Sequence, residues 1–275
     1  MNNKRSDWYN VPCGASRATA CAGRIHSDRP HVTLNNELNN FNDFTGILLA
    51  SGFSIGGGYD EGVYAIVDFD WLNVPTGSPI AWHTGDLETD PWEWRVRVLN
   101  ERDDVAYAKC FFKKSGYITR EFYPYFLALR RGGCTHRQGV REFDDDYANG
   151  KISHCAKRIY ETVCERGELP LQEIKTYGGF GREEKSRFDS ALTELQMRMY
   201  LTICGTRRRM NNKGEEYGWE ATMFCTTEKF WESTDVFYLA AGLDETDAYA
   251  AIRERVLKLN PNADETKIRK FAYGR

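Results

Sequence analysis

The chain has 275 residues, 41% hydrophobic and 28% charged, a globular composition and a length for one large domain or roughly two or three small ones. A net charge of −3 and a pI of about 6.0 exclude a general polyanion binder, so nucleic-acid contact would have to come from local basic patches. No apolar run approaches the roughly 20 residues of a membrane span and no signal-peptide core is visible, which points to a cytoplasmic protein without membrane partners.

Residues 1–32 are rich in Arg, Ser, Ala and Cys without a period and read as an irregular N-terminal extension. From Leu34 the apolar residues recur at three and four (Leu34, Leu38, Phe41, Phe44, Leu48) up to Gly52, which predicts an amphipathic helix with a glycine stop. Gly56, Gly57 and Gly58 open a loop with no Gly-Lys-Ser or Gly-Lys-Thr behind it, so it is no phosphate loop. Val63 to Phe69 then reads as a short buried strand. The long connection 75–90 ends in the clearest helix start of the chain: Asp90 as N-cap, Pro91 behind it, Glu93 three residues after the cap. Val105 to Phe112 is strand-like, and residues 117–131 read as a helix that Pro124 kinks or restarts. The acidic stretch 141–150 reads as the seam between two halves.

Beyond the seam, Ile152, Cys155, Ile159 and Val163 mark a helix ending near Gly167. "ELPL" is a brief extended piece, "LQEIKTY" a short second helix, and residues 182–196 a third with Phe188, Leu192 and Leu195 inward. The period then switches to two: Met197, Met199, Leu201 and Ile203 alternate inward, and Tyr217, Trp219, Ala221 and Met223 do so again after a loop. Three helices followed by a long hairpin is the order of a winged helix. Residues 230–239 and 244–259 read as helices, with a last turn after Pro261.

Three groups of residues are candidates for chemistry. Arg198, Arg207, Arg208, Arg209 and Lys213 crowd the hairpin with no acid between residues 195 and 214, and near a wing tip they would meet a phosphate backbone. Glu215 and Glu216 on the returning side could neutralise them, and a charged tip also discourages edge pairing. Lys185 and Arg187 on the third helix would add to the basic face, but Glu183, Glu184 and Asp189 offset them, which argues against base readout from that helix. The second group lies in "AWHTGDLETDPWEWR". Trp82 and Trp92 there could stack on a base, and Asp90 or Glu93 could assist glycosidic-bond cleavage; the competing reading makes Asp90 and Glu93 helix caps and the tryptophans core anchors. The third is a basic, aromatic strip of Lys113, Lys114, Tyr117 and Arg120, set against a solvated face over a packed core. The eight cysteines form no C-x-x-C pair, so neither metal nor cofactor is expected.

The strings "DPWEWR", "KKSGYIT", "LTELQMRMYLTI" and "RRRMNNKGEEYGW" resemble the AlkZ-related family of bacterial proteins, over roughly Leu34 to Leu259. The resemblance implies kinship to winged-helix DNA glycosylases, which excise alkylated or crosslinked bases. Those enzymes carry a catalytic Gln-x-Gln or Gln-x-Asp motif. The three glutamines here, Gln138, Gln172 and Gln196, are not followed at the second position by Gln or Asp, so this chain departs from the motif that would activate water.

The sequence therefore predicts an α+β, mostly helical protein of tandem winged-helix-like modules with a long β-hairpin wing. The extension spans 1–32, an N-terminal half 33–148, a winged helix 149–228 and C-terminal helices 229–275. DNA binding related to base repair is the leading expectation. The alternatives are a glycosylase using Glu93 or Asp90, and a protein-interaction module.

Overall fold

Asn40 starts the described fold by capping a helix: its side chain accepts from the Asp43 amide at 3.0 Å. The computed structural model describes residues 38–132, 139–210 and 216–275, with side chains for all of these except 139–142, 209–210 and 216–219. The expected extension 1–32 and Lys213 lie outside these residues, as does the side chain of Arg209.

Helix α1 (Phe41–Ser51) ends at Gly52, whose φ of 88° suits a residue without a Cβ. A Cβ there would also lie 2.2 Å from the Phe122 ring, so the glycine is needed for packing as well as for the turn. Strand β1 (Phe53–Ile55) follows, then a long connection to helix α2 (Pro91–Glu101) and the hairpin β2 (Val105–Phe111) and β3 (Lys114–Thr119). Helix α3 (Tyr123–Arg130) and α4 (Gly139–Ala148) lead into the second half. There α5 (His154–Arg166), β4 (Leu169–Pro170), α6 (Leu171–Tyr177), a 3₁₀ turn at Arg182–Glu184 and α7 (Lys185–Met197) precede β5 (Leu201–Met210) and β6 (Glu216–Thr226). Four helices close the chain: α8 (Thr227–Phe230), α9 (Val236–Ala241), α10 (Glu245–Leu259) and α11 (Glu265–Tyr273).

The α+β class expected from the sequence holds. One antiparallel sheet in the order β1-β3-β2-β5-β6-β4 joins both halves. Each half repeats one plan: helix, short strand, connection, helix, hairpin. The short strand pairs with the second hairpin strand in both, β1 with β3 and β4 with β6. The halves meet where Tyr107 of β2 opposes Ile203 of β5, and each pre-hairpin helix packs across the junction, α7 on β2 and α2 on β5. Buried Gln196 of α7 accepts from the Lys109 amide at 2.9 Å and donates to the Leu192 carbonyl at 3.0 Å. It satisfies a backbone N–H that the one-pair β2–β5 ladder leaves over.

The sheet lies between two helical layers, because successive strand residues point to opposite faces. Val105 and Tyr107 pack with α1, α2, α5 and α7; Ala106, Ala108 and Cys110 pack with α3, α10 and α11. Arg130 is buried where the second layer meets the sheet. Its guanidinium donates to the carbonyls of Cys110 at 2.7 Å, Met197 at 3.1 Å, Phe271 at 2.7 Å and Ala272 at 3.0 Å.

Several expectations shift. Val63 to Phe69 forms no strand, although Val63, Ala65 and Val67 are buried. The predicted helix 117–131 is strand β3 up to Thr119, and only then a helix from Tyr123, with Pro124 in its first turn. The seam 141–150 is mostly helix α4, which places Phe143 3.9 Å from Tyr160 in a stacked pair.

Candidate nucleic-acid interface

β5 and β6 pair along their length, from Leu201 opposite Thr226 to Met210 opposite Glu216, with register shifts at Ile203/Gly205 and Arg207/Arg209. Among the described residues other strands pair with this ribbon only at Ile203, Met223 and Phe224. Beyond Gly205 it is therefore a two-stranded projection among the described residues.

Its described arginines meet carboxylates. Arg207 pairs with Glu173 of α6, and Arg208 lies 3.3 Å from Glu220, which also accepts from Thr206 Oγ1 at 2.6 Å. Arg198 faces Glu194 at 3.6 Å and Asp146 at 4.0 Å. The Arg207 and Arg208 side chains are 48% and 62% exposed, so water screens these pairs and each contributes about 0.2–1 kcal/mol. Lys185 and Arg187 are exposed at the start of α7 and form no ion pair among the described residues.

The tryptophan segment is organised by Asp90. Its buried carboxylate accepts from the amides of His83 at 3.0 Å, Gly85 at 2.9 Å and Trp92 at 2.8 Å. The loop 83–85 is thereby tied to the first turn of α2, and His83 is held at a φ of 60°. A row of tilted rings results: Trp82 lies 6.4 Å from His83 at 48°, His83 5.0 Å from Trp92 at 58°, and the Arg95 guanidinium 3.9 Å from the Trp92 ring. Trp82 Nε1 donates to the Phe69 carbonyl at 2.7 Å. The half-buried Glu93 carboxylate makes no hydrogen bond or ion pair among the described residues.

The basic, aromatic strip does not form. Tyr117 is buried against Phe44 and Tyr107, at ring distances of 5.3 and 4.8 Å, and Lys114 pairs with Glu61. His83, one of the residues of the tryptophan segment in the sequence, is the exposed middle ring of this row. Two carboxylates escaped the sequence reading. Glu220 opposes the ribbon arginines, which the hairpin register alone could have revealed; Glu173 is a long-range contact with no local signal.

Among the described residues no three His, Cys, Asp or Glu side chains gather as a metal site, and no helix is long and apolar enough to cross a membrane. The class is thus an α+β protein of two like halves sharing one sheet, with a charged ribbon extending from the second half. The chain belongs to the AlkZ-related family, whose model matches residues 38–273, nearly the whole described chain. No curated protein and no solved structure matches it.

Proposed function

We propose that the chain binds duplex DNA in a base-repair role, through a winged helix formed by α5, α6, α7 and the β5–β6 ribbon. The observation that carries this is the placement of exposed Lys185 and Arg187 on the helix that leads into a ribbon displaying exposed Arg207 and Arg208. Membership of the AlkZ-related family supports the same reading. Pairing with Glu173 and Glu220 does not oppose it: screened surface pairs are weak, and a phosphate contact adds the release of condensed counterions. Arg209 and Lys213 would extend the phosphate contacts along the ribbon, and Arg198, at the end of α7, would add one at its base. Trp82 and Trp92 would offer a stacking face to an unpaired base. No cofactor or metal is required.

The test is a salt titration of duplex binding. A slope of log affinity against log salt of roughly −3 or steeper is expected, at about −0.9 per neutralised phosphate. A slope near zero would sink the reading.

A second reading, glycosidic-bond cleavage, is favoured by the unengaged Glu93 carboxylate beside Trp92. Asp90 suits it poorly, because its buried oxygens are already occupied by three backbone N–H groups. On this reading, abasic-site formation on alkylated duplex DNA is lost in Glu93→Gln. Absence of product from the wild-type chain across a panel of lesions would end it.

A further inference from the structure

The connection between β1 and α2, residues 56–90, holds a surface that neither the ribbon nor the fold uses. It is not loose. Val63, Ala65, Val67 and Ile80 are buried beneath it. Asp70, itself buried, accepts from the amides of Leu72 at 3.0 Å and Asn73 at 2.9 Å, from Asn73 Nδ2 at 2.8 Å, and from the Tyr59 hydroxyl. This clamps the turn from inside, while its apolar side chains face water: Trp71 is 62% exposed, Leu72 68% and Val74 38%. A tryptophan and a leucine held outward on a fixed turn gain nothing for folding. They are the side chains that anchor protein interfaces, and a rigid turn loses little entropy on docking.

The charge around them selects the partner. Residues 56–90 contain seven Asp and Glu and no Lys or Arg. Among the described residues Lys114 and Arg97 pair with Glu61 and Glu88, Lys267 donates to the Glu61 carbonyl, and Asp70 and Asp90 are buried, so the acidic excess facing water rests on Asp60, Asp68 and Asp86. Such a face repels a phosphate backbone and an anionic lipid surface alike. It complements a surface of opposite sign, which speeds encounter and fixes orientation.

We propose that the turn at residues 70–74 docks a second protein, through a segment that presents apolar side chains rimmed by Lys or Arg. Trp71 and Leu72 fill the apolar contact, and the exposed carboxylates of the segment meet the basic rim. This surface is separate from the DNA contact proposed for the ribbon, and the two succeed or fail independently.

The probe is a synthetic amphipathic helix of lysine and leucine, titrated calorimetrically into the full chain beside a twin with glutamate in place of lysine. Duplex DNA and anionic vesicles are run in parallel. Expected are saturable binding of the lysine peptide, weakening with salt, and at least a tenfold loss of affinity in Trp71→Ala/Leu72→Ala. That variant should melt with the wild type and keep its duplex affinity. Equal binding of the glutamate twin, unchanged binding by the double variant, or no binding of the lysine peptide each overturns the proposal. So does a loss of duplex or vesicle binding in the double variant, which would assign the turn to DNA or to a membrane surface instead.

Discussion

Arg130→Met is expected to destabilise the fold by about 3–5 kcal/mol, read as a shift of the urea midpoint at unchanged slope. Among the described residues Arg130 has no carboxylate partner. Its guanidinium instead sits at the carbonyl ends of α7 and α11, through Met197, Phe271 and Ala272, and takes the Cys110 carbonyl of β2 as well. Helix C-termini carry partial negative charge, so two of them together hold a cation that the interior would otherwise reject. Burial pushes its pKa down to about 10, and the group remains charged at neutral pH. Methionine fills much of the volume but leaves four buried acceptors unbonded, each costing about 1–3 kcal/mol. Relief of the buried charge offsets part of that sum. Arg130→Lys should fall between the two, since an ammonium has three donors and cannot fan out to four carbonyls. Gly274 guards the same place: a Cβ there would come 2.8 Å from the Met197 carbonyl and 3.0 Å from Arg130 Nε. A midpoint for Arg130→Met within about 1 kcal/mol of the wild type would show that water replaces the guanidinium.

Arg130 also marks where sequence reading ends. Its four acceptors come from three elements far apart in the chain, and nothing local to residue 130 distinguishes it from a surface arginine. What could be read locally was read: the Asp90–Pro91 helix start, the inward face of α7 and the long hairpin, although Met197 belongs to α7 and the strand starts only at Leu201. Each rests on a periodicity or cap within about four residues. Strands β1 and β4 have only three and two residues, too short for a period to show, and only pairing with β3 and β6 makes them strands. Residues 63–67 illustrate the converse. The buried character of the segment was legible, but among the described residues it bonds to β1 only through the Ile55 amide to the Tyr64 carbonyl at 3.1 Å and the Ile66 amide to Ser54 Oγ at 3.0 Å, so it stays a buried coil. The candidate site divides the same way. Asp90 as organiser of the tryptophan segment follows from its capping role, whereas Glu173 reaches Arg207 only because α6 lies beside the ribbon.

That contact yields the sharpest test of the ribbon, because two sets of substitutions should move DNA affinity in opposite directions. Arg207→Ala/Arg208→Ala/Arg209→Ala is expected to weaken duplex binding by roughly a hundredfold or more at moderate salt, and to flatten the salt slope by about 2–3. Glu173→Gln/Glu220→Gln removes the carboxylates that compete with phosphate for Arg207 and Arg208. At about 0.2–1 kcal/mol for each screened pair, affinity should rise roughly three- to tenfold. Neither set should shift the melting temperature by more than about 2 °C, since the exposed pairs contribute little to folding. A merely structural ribbon gives another pattern: loss of a brace to α6 would lower stability in both variants and leave duplex affinity alone. Binding measured by anisotropy beside thermal melts separates the two. If the glutamine variant fails to bind more tightly while the alanine variant still binds as the wild type does, DNA contact by the ribbon is refuted, whatever the rest of the chain does.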